Sequence, residues 1–578
     1  MRTEYCGKVS KKLIGKKIFL CGWISKIKNF GHIIFFYIED IKGKIQIILK
    51  KNKNFLKIQE IKNGFCVQIF GKVKKRSKKN INKNIFNGDI EIYAEKIKIF
   101  SKSKSIPIDL LKNNKEKNRL KYRYLDLRTN KMKKNLILRS KIIYEVHKFM
   151  QKNNFIHIET PIITKSTPEG ARDYIIPSRN YLGKFYALPQ SPQIFKQLIM
   201  ISGFDRYYQI AKCFRDEDLR SNRQPEFTQI DIEASFVNEK KILKIIENFL
   251  YKIWKKFLGI KLKKIPKITY KESIKKYGTD KPDIRNPLKI IDFTKFFMVN
   301  NFLKENIKNR TILGIHILKK NNLSLKNIKI YESFIKKNNI KKILSIKINK
   351  KNIDNIKLNK KNILNKIVIE KIIKFFKINK NDIIIIYQSN NKKIYKIFGE
   401  VIKKISHDFN LIDKNIFAPI WITNFPMFKK NKYGNFSVVH HPFTSPQTTS
   451  INKVKKFPEK ILSKSYDLII NGEEIGGGSI RINNIKMQKL IFKIINISTK
   501  KQKKKFGFFL NALKYGPPPH AGIALGLDRI TMMLTNSSDI RDVISFPKTT
   551  TASCITTNSP NKINNSFLEE LNIMIMKK

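Results

Sequence analysis

CFRDEDLRSNRQPEFTQID, Cys213–Asp231, places four acids and three arginines ahead of its final aspartate. In most chains such a run is a solvated charge cluster. Here the charges alternate with Phe214, Pro225, Phe227 and Ile230, which predicts a strand, a loop and a second strand lying against a core. Arginines held on such a hairpin can clamp a phosphate or a carboxylate through two parallel hydrogen bonds.

Two further stretches share this texture. Gly516–Leu534, GPPPHAGIALGLDRITMML, reads as a Pro/Gly turn, a small-residue strand and a helix opening near Leu527–Arg529. Gly522 and Gly526 allow a backbone to approach a ligand closely, and Arg529 falls in the first helical turn, where anions are favoured. Tyr466–Ile482, YDLIINGEEIGGGSIRI, carries Asp467 and Glu474, carboxylates suited to Mg²⁺. Gly476–Gly478 clear side chains from beside a pocket, and Arg481 follows them.

Around these blocks the composition changes. The chain has 578 residues, enough for about three or four domains at roughly 150 residues each. Its 119 Lys and Arg against 44 Asp and Glu leave a net charge of +75, which suits a polyanionic partner. Heavy use of Lys, Ile and Asn throughout discounts that inference, because AAA, ATA and AAT codons give the same bias in an AT-rich genome. Residues 155–236 and 417–546 resist the bias, holding more Gly, Pro, Arg, Asp and Glu. Five cysteines with no CxxC pair argue against a disulfide framework or zinc knuckle and fit a reducing compartment. With no apolar signal core at the start and no run long enough to span a bilayer, a soluble cytoplasmic protein with no membrane association is expected.

The spacing predicts the domains. Short Ile-, Val- and aromatic-rich runs at Ile18–Trp23, Ile33–Ile38, Lys44–Leu49, Phe65–Val73 and Asp89–Phe100 predict a five-stranded β-barrel of the oligonucleotide-binding type over 1–104. Residues 105–133 read as a polar linker. Leu138, Ile142, Val146 and Phe149 share one face of a helix over Lys134–Asn153. An α+β catalytic domain is expected over 134–285 and 414–578, split by an inserted α+β domain at 286–413. Within the insertion, Ile343–Ile348 and Ile383–Tyr387 look like strands.

Taken together, Phe155–Ser178 (FIHIETPIITKSTPEGARDYIIPS), QSPQIFKQ (Gln190–Gln197), FRDEDLR, RQPEFTQID, HHPFTSP (His440–Pro446), IGGGSIRI and GIALGLDR resemble the motifs of class II aminoacyl-tRNA synthetases, bacterial aspartyl type. MRTEYCG at the start and LCGW (Leu20–Trp23) resemble them too. The resemblance implies an N-terminal anticodon-binding barrel, a catalytic domain built on an antiparallel sheet, and attachment of L-aspartate to aspartate tRNA through an aspartyl-adenylate, with ATP as substrate and Mg²⁺.

By that resemblance Arg215 bridges aspartate and the α-phosphate. Asp216, Glu217, Gln224, Gly526, Leu527 and Asp528 belong to the ATP site, Arg529 takes the γ-phosphate, and Glu474, helped by Asp467, holds the metal. Arg481 grips the substrate's side-chain carboxylate. Gln193 and Lys196 share its pocket, Asp231 takes the ammonium, and Glu169 and His440 belong to mobile loops over the substrate. Lys28, Phe35 and Gln46 face the anticodon, and Pro161 lies at a homodimer interface. One departure is Lys26–Ile27–Lys28, where the family usually has arginines; anticodon discrimination looser than usual is expected from it. Three alternatives remain open. The chain is a relative charging asparagine or lysine tRNA or making asparagine, against which Arg481 and the barrel stand. It also charges asparagine tRNA. Or it is a non-catalytic RNA-binding relative, against which Arg215, Glu474 and Arg529 stand.

Overall fold

The computed structural model describes residues 1–50, 61–83, 85–112, 114–167, 170–298, 311–318, 341–347, 373–375, 382–391 and 393–576, together with Ile330, Tyr331, Ser333 and Ile335. Two compact units divide the chain: Met1–Leu138 with Arg541–Asn561, and Arg139–Ile540 with Lys562–Lys578.

In the first unit, β1 (Lys17–Asn29), β2 (Ile33–Glu39), β3 (Lys44–Lys50), β4 (Cys66–Lys75) and β5 (Ile90–Ser101) close a barrel in the order β1-β2-β3-β5-β4. Alternation sets which side chains enter it: Ile34, Phe36 and Ile38 are buried, whereas Phe35 and Tyr37 between them point outward. The five predicted strands are all present. β1 runs further than expected because it bends at a bulge between Ser25 and Lys28, with Lys26 at φ +51°.

The stretch 105–133 is not simply a polar linker. It forms short helices at Glu116–Lys121 and Arg123–Asp126 and begins a third, Asn130–Lys152. Arg119 donates to Asp126 (3.0 Å) and Asp542 (2.8 Å), and the buried Arg123 donates to Asp126 and to the carbonyls of Arg541, Ile544 and Ser545. Besides the local Asp126, these arginines find partners more than four hundred residues downstream.

In the second unit an eight-stranded sheet carries the blocks that resist the Lys, Ile and Asn bias. Its strands are β6 (Ile156–His157), β7 (Arg206–Phe214), β8 (Glu226–Ser235), β9 (Lys267–Thr269), β10 (Pro419–Thr423), β11 (Ser465–Ile470), β12 (Glu473–Ile480) and β13 (His520–Gly526). They lie in the order β9-β10-β11-β12-β13-β8-β7-β6, antiparallel except for the outermost pairs β9·β10 and β6·β7. Cys213–Asp231 is thus the predicted strand–loop–strand. Within 286–413, the stretch expected as an insertion, Leu288, Ile315, Ile385, Tyr387, Phe398 and Val401 form a hydrophobic cluster that joins a four-stranded sheet to the helix Ile394–Asp408. Among the described residues no helix is long and apolar enough to cross a membrane.

Candidate active site

Register across the sheet builds the site. Asp467 on β11 pairs with Gly477 on β12, Gly477 with Ala524 on β13, Ala524 with Asp231 on β8, and Asp231 with Gln209 on β7. Small residues in the middle of this row and carboxylates on either side make the floor of a cleft of about 710 Å³. Its walls come from the β7–β8 loop, the first turn of the helix Gln193–Ile201, the His440–His441 loop and the start of the helix Leu527–Leu534.

The closed end is a fully buried ionic cluster of Lys196, Asp231, Glu233 and Arg481. Lys196 Nζ donates to Asp231 Oδ1 at 3.1 Å and lies 3.5 Å from Glu233. Arg481 forks onto Glu233 through Nε (2.8 Å) and Nη2 (3.0 Å), while Nη1 donates to Ser479 Oγ (2.7 Å) and His441 Nε2 (2.6 Å). Arginine has no acceptor, so His441 Nε2 is the acceptor in this contact. Burial and the Arg481 charge push His441 well below the usual imidazole range, keeping it neutral. Burial opposes ionisation of Glu233, yet Arg481 and Lys196 outweigh it and hold that carboxyl below its ordinary range. Asp231 goes the other way: burial raises it, against Lys196. Asp231 Oδ2 and Gln193 Nε2 are buried without a hydrogen-bond partner among the described residues.

The open end offers cations and acids near one another. Arg215 lies over the Phe227 ring at 5.0 Å, its buried Nε without a partner among the described residues. Arg223 pairs with Glu217 at 2.9 Å, and Arg529 Nη1 donates to the Glu474 carbonyl at 2.5 Å. Glu474 accepts from Lys281 (2.6 Å), and Asp467 from His440 Nε2 (3.1 Å). Burial opposes the ionised form of Glu474, but Lys281 and Arg529 keep it below its ordinary range. Gly477 is required here: a Cβ on it would stand 2.8 Å from Asp467 Oδ1 and 3.8 Å from Glu474 Oε1, filling the gap between the two acids.

The model for class II tRNA synthetases (D, K and N) matches residues 115–550, and that for an OB-fold nucleic acid binding domain matches 18–100. The chain belongs to the class II tRNA synthetases. It is 50% identical over 586 residues to the aspartate–tRNA ligase of Buchnera aphidicola subsp. Acyrthosiphon pisum (strain APS), with 100% of each chain covered. It is 45% identical over 573 residues to that of Blochmanniella pennsylvanica (strain BPEN), covering 97% of this chain and all of the other. Among solved structures, the asparaginyl-tRNA synthetase from Pyrococcus horikoshii complexed with asparaginyl-adenylate shares the fold, with a TM-score of 0.59 at 18% identity over 94% of this chain and 98% of that one.

For this synthetase, the cleft gathers Gln193, Lys196, Arg215, Glu217, Gln224, Asp231, His440, Asp467, Glu474, Arg481, Gly526, Asp528 and Arg529, all expected from sequence. Two expected ATP-site residues, Asp216 and Leu527, do not line the cleft, and a third, Asp528, lines it with its carboxylate already engaged. Asp216 is exposed on the β7–β8 loop and does not line the cleft. Leu527 is buried in the core. Asp528 spends both oxygens as a brace, accepting from Arg139 and from the Thr228 N–H (2.8 Å). Gly522 was expected to approach a ligand, but it makes room for Glu233, whose Oε2 a Cβ would meet at 1.8 Å. Glu169 lies outside the described residues.

Sequence reasoning missed Glu233, His441, Ser479 and Lys281. Glu233 carried a usable signal, since positions 229, 231 and 233 share one face of β8. In the barrel, Phe35 is half-buried on the outer face, opposite Lys28 in register and edge-on to Phe30 at 5.8 Å. Gln46 donates to Glu91 at 3.1 Å. Ile27, in the bulge, packs partly against the barrel core. Pro161 is exposed, as are Ile162 and Ile163 beside it.

Proposed function

We propose that the chain joins L-aspartate to the 3′ end of aspartate tRNA in two steps, with ATP as co-substrate. The observation that carries this is the inner end of the cleft, where Lys196 and Arg481 line the wall as buried cations held by Asp231 and Glu233. The full-length relatives named aspartate–tRNA ligase support the same choice. Aspartate's side-chain carboxylate can accept from both cations, whereas asparagine would turn an N–H₂ donor toward one of them. Glu233, Ser479 and His441 fix the guanidinium beforehand, so little ordering is left for the moment of binding. Asp231 Oδ2, a buried acceptor in want of a donor, suits the substrate ammonium.

In the first step an α-carboxylate oxygen bonds to the α-phosphorus of ATP as the bond to the bridging oxygen breaks, and pyrophosphate leaves. The nucleophile is already ionised, so positioning and charge neutralisation are what the protein supplies. Arg215 serves both, since its unpaired guanidinium can reach oxygens of either partner. Gln224 and the Glu217–Arg223 pair border the adenine end, and Arg529 the γ-phosphate. Asp467 and Glu474 converge over Gly477 and fit Mg²⁺, which when bound neutralises phosphate oxygens. In the second step a hydroxyl of the tRNA's terminal ribose takes the aspartyl group and AMP departs.

The barrel's outer face, with Phe35 opposite Lys28 of β1 and Gln46 of β3 opposite Tyr37, is the proposed anticodon surface, because unpaired bases stack on exposed aromatics. The exposed apolar run Pro161–Ile163 is the proposed homodimer contact. With ATP, Mg²⁺ and labelled aspartate, the protein should convert a tRNA(Asp) transcript to an alkali-labile aspartyl ester; no labelled tRNA would overturn the proposal. Phe35→Ala should lower charging by about 1–3 kcal/mol per stacked base lost, roughly a 5- to 150-fold rise in KM for tRNA. Aspartate-dependent pyrophosphate exchange should stay unchanged in that variant.

A further inference from the structure

A second cavity, of about 580 Å³, adjoins the triphosphate end of the cleft and shares Arg223, Lys281, Glu474 and Arg529 with it. Its far wall is a face of the insertion helix Ile394–Asp408. That helix packs backbone to backbone on the helix Tyr270–Tyr277. A Cβ on Gly278 would strike the Tyr395 carbonyl at 2.1 Å, and one on Gly399 the Tyr277 carbonyl at 2.7 Å. The close contact fixes which helix face looks into the cavity, and Lys396 and Lys403 lie on it, seven residues apart. Lys414 and, from the β7–β8 loop, Arg220 add to the basic lining, and none of these four has an ion pair among the described residues. The same lining also holds the Arg285–Asp283 pair, His407, Glu400 and Glu473, so the unpaired cations outnumber the unpaired acids.

Lysines are abundant everywhere in this chain, so their presence alone says little. What distinguishes these is a concave setting, a rigid helix to hold them, and direct continuity with the place where the β- and γ-phosphates would lie. We propose that this cavity receives the pyrophosphate released by adenylation and holds it as it leaves the nucleotide site, an inference that rests on the synthetase reading above. The insertion would then serve the first step of the reaction by providing an electrostatic exit for a strongly anionic product.

The test is equilibrium dialysis of radiolabelled inorganic pyrophosphate against the full chain with Mg²⁺, the nucleotide site being saturated with a non-hydrolysable methylene analogue of ATP. One pyrophosphate per chain should still bind. The triple variant Lys396→Ala/Lys403→Ala/Lys414→Ala should weaken that binding at least tenfold, with analogue affinity and Tm unchanged. Absence of binding beside the analogue, or binding equal in the variant, would overturn the proposal. So would a variant that loses affinity for a tRNA transcript while keeping pyrophosphate, which would assign the cavity to nucleic-acid phosphates. Pyrophosphate binding lost in the variant of a chain that forms no adenylate would support the cavity and sink the synthetase reading instead.

Discussion

Arg481→Leu abolishes aspartate-dependent ATP–pyrophosphate exchange and leaves ATP-analogue binding within about twofold of the parent protein. Hydrogen bonds to charged groups contribute about 1.5–3 kcal/mol each. Four of the five Arg481 N–H groups are spent on Glu233, Ser479 and His441, so one N–H and the charge remain for the substrate. Leaving that buried substrate carboxylate short of a counter-charge costs about 3–5 kcal/mol and lowers kcat/KM for aspartate by roughly a hundredfold or more, at about 1.4 kcal/mol per decade. Nucleotide binding is spared because no hydrogen bond or ion pair among the described residues links Arg481 to Arg215 or Arg529, the arginines proposed for the ATP site. The substitution also strips Glu233 of its main counter-charge, and a buried carboxylate left uncompensated costs about 3–5 kcal/mol. Lys196 at 3.5 Å offsets only part of that. Pairing Arg481→Leu with Glu233→Gln removes the stranded charge. Recovery of thermal stability without recovery of exchange separates lost recognition from lost folding. Exchange retained in either variant would refute the assignment.

Arg215→Ala behaves differently, slowing adenylate formation with almost no effect on folding. Arg215 has no ion pair among the described residues, only its stack on Phe227, an interaction of about 0.5–1 kcal/mol at a partly exposed site. Tm should thus fall by no more than a few degrees. In the proposed reaction its unpaired donors face the α-phosphate, where charge develops during adenylyl transfer, and removal of one such donor costs about 10²–10³ in kcat. Arg215→Lys restores the charge but not the planar fork, so it should recover only part of the rate. Single-turnover adenylate formation beside a melting curve makes the check. An unfolded Arg215→Ala protein, or one with full single-turnover rate, would contradict this role.

The parts of the fold that were legible in sequence are those whose signal is local. Short runs rich in Ile, Val and aromatics located all five barrel strands, and the charged hairpin of Cys213–Asp231 announced itself by the apolar residues between its charges. Arg481 could be singled out because it follows three glycines on one strand. Its partners could not. Glu233 is 248 positions away in sequence and meets Arg481 only through the strand order β12-β13-β8, which no local pattern specifies. The same holds for Lys281 with Glu474, and for Arg119 and Arg123, whose partner segment at 541–545 turns an apparent linker into a packed helical segment. Gly522 shows the complementary failure, because a glycine advertises that something comes close without saying whether it is a ligand or, as here, a neighbouring carboxylate.

The central claim is that the Lys196–Arg481 pocket selects aspartate for adenylation. ATP–pyrophosphate exchange with aspartate, asparagine and lysine in parallel, with Mg²⁺ and without tRNA, tests it most directly. Exchange with aspartate alone is the predicted result; exchange driven by asparagine or lysine, or by none of the three, would contradict it.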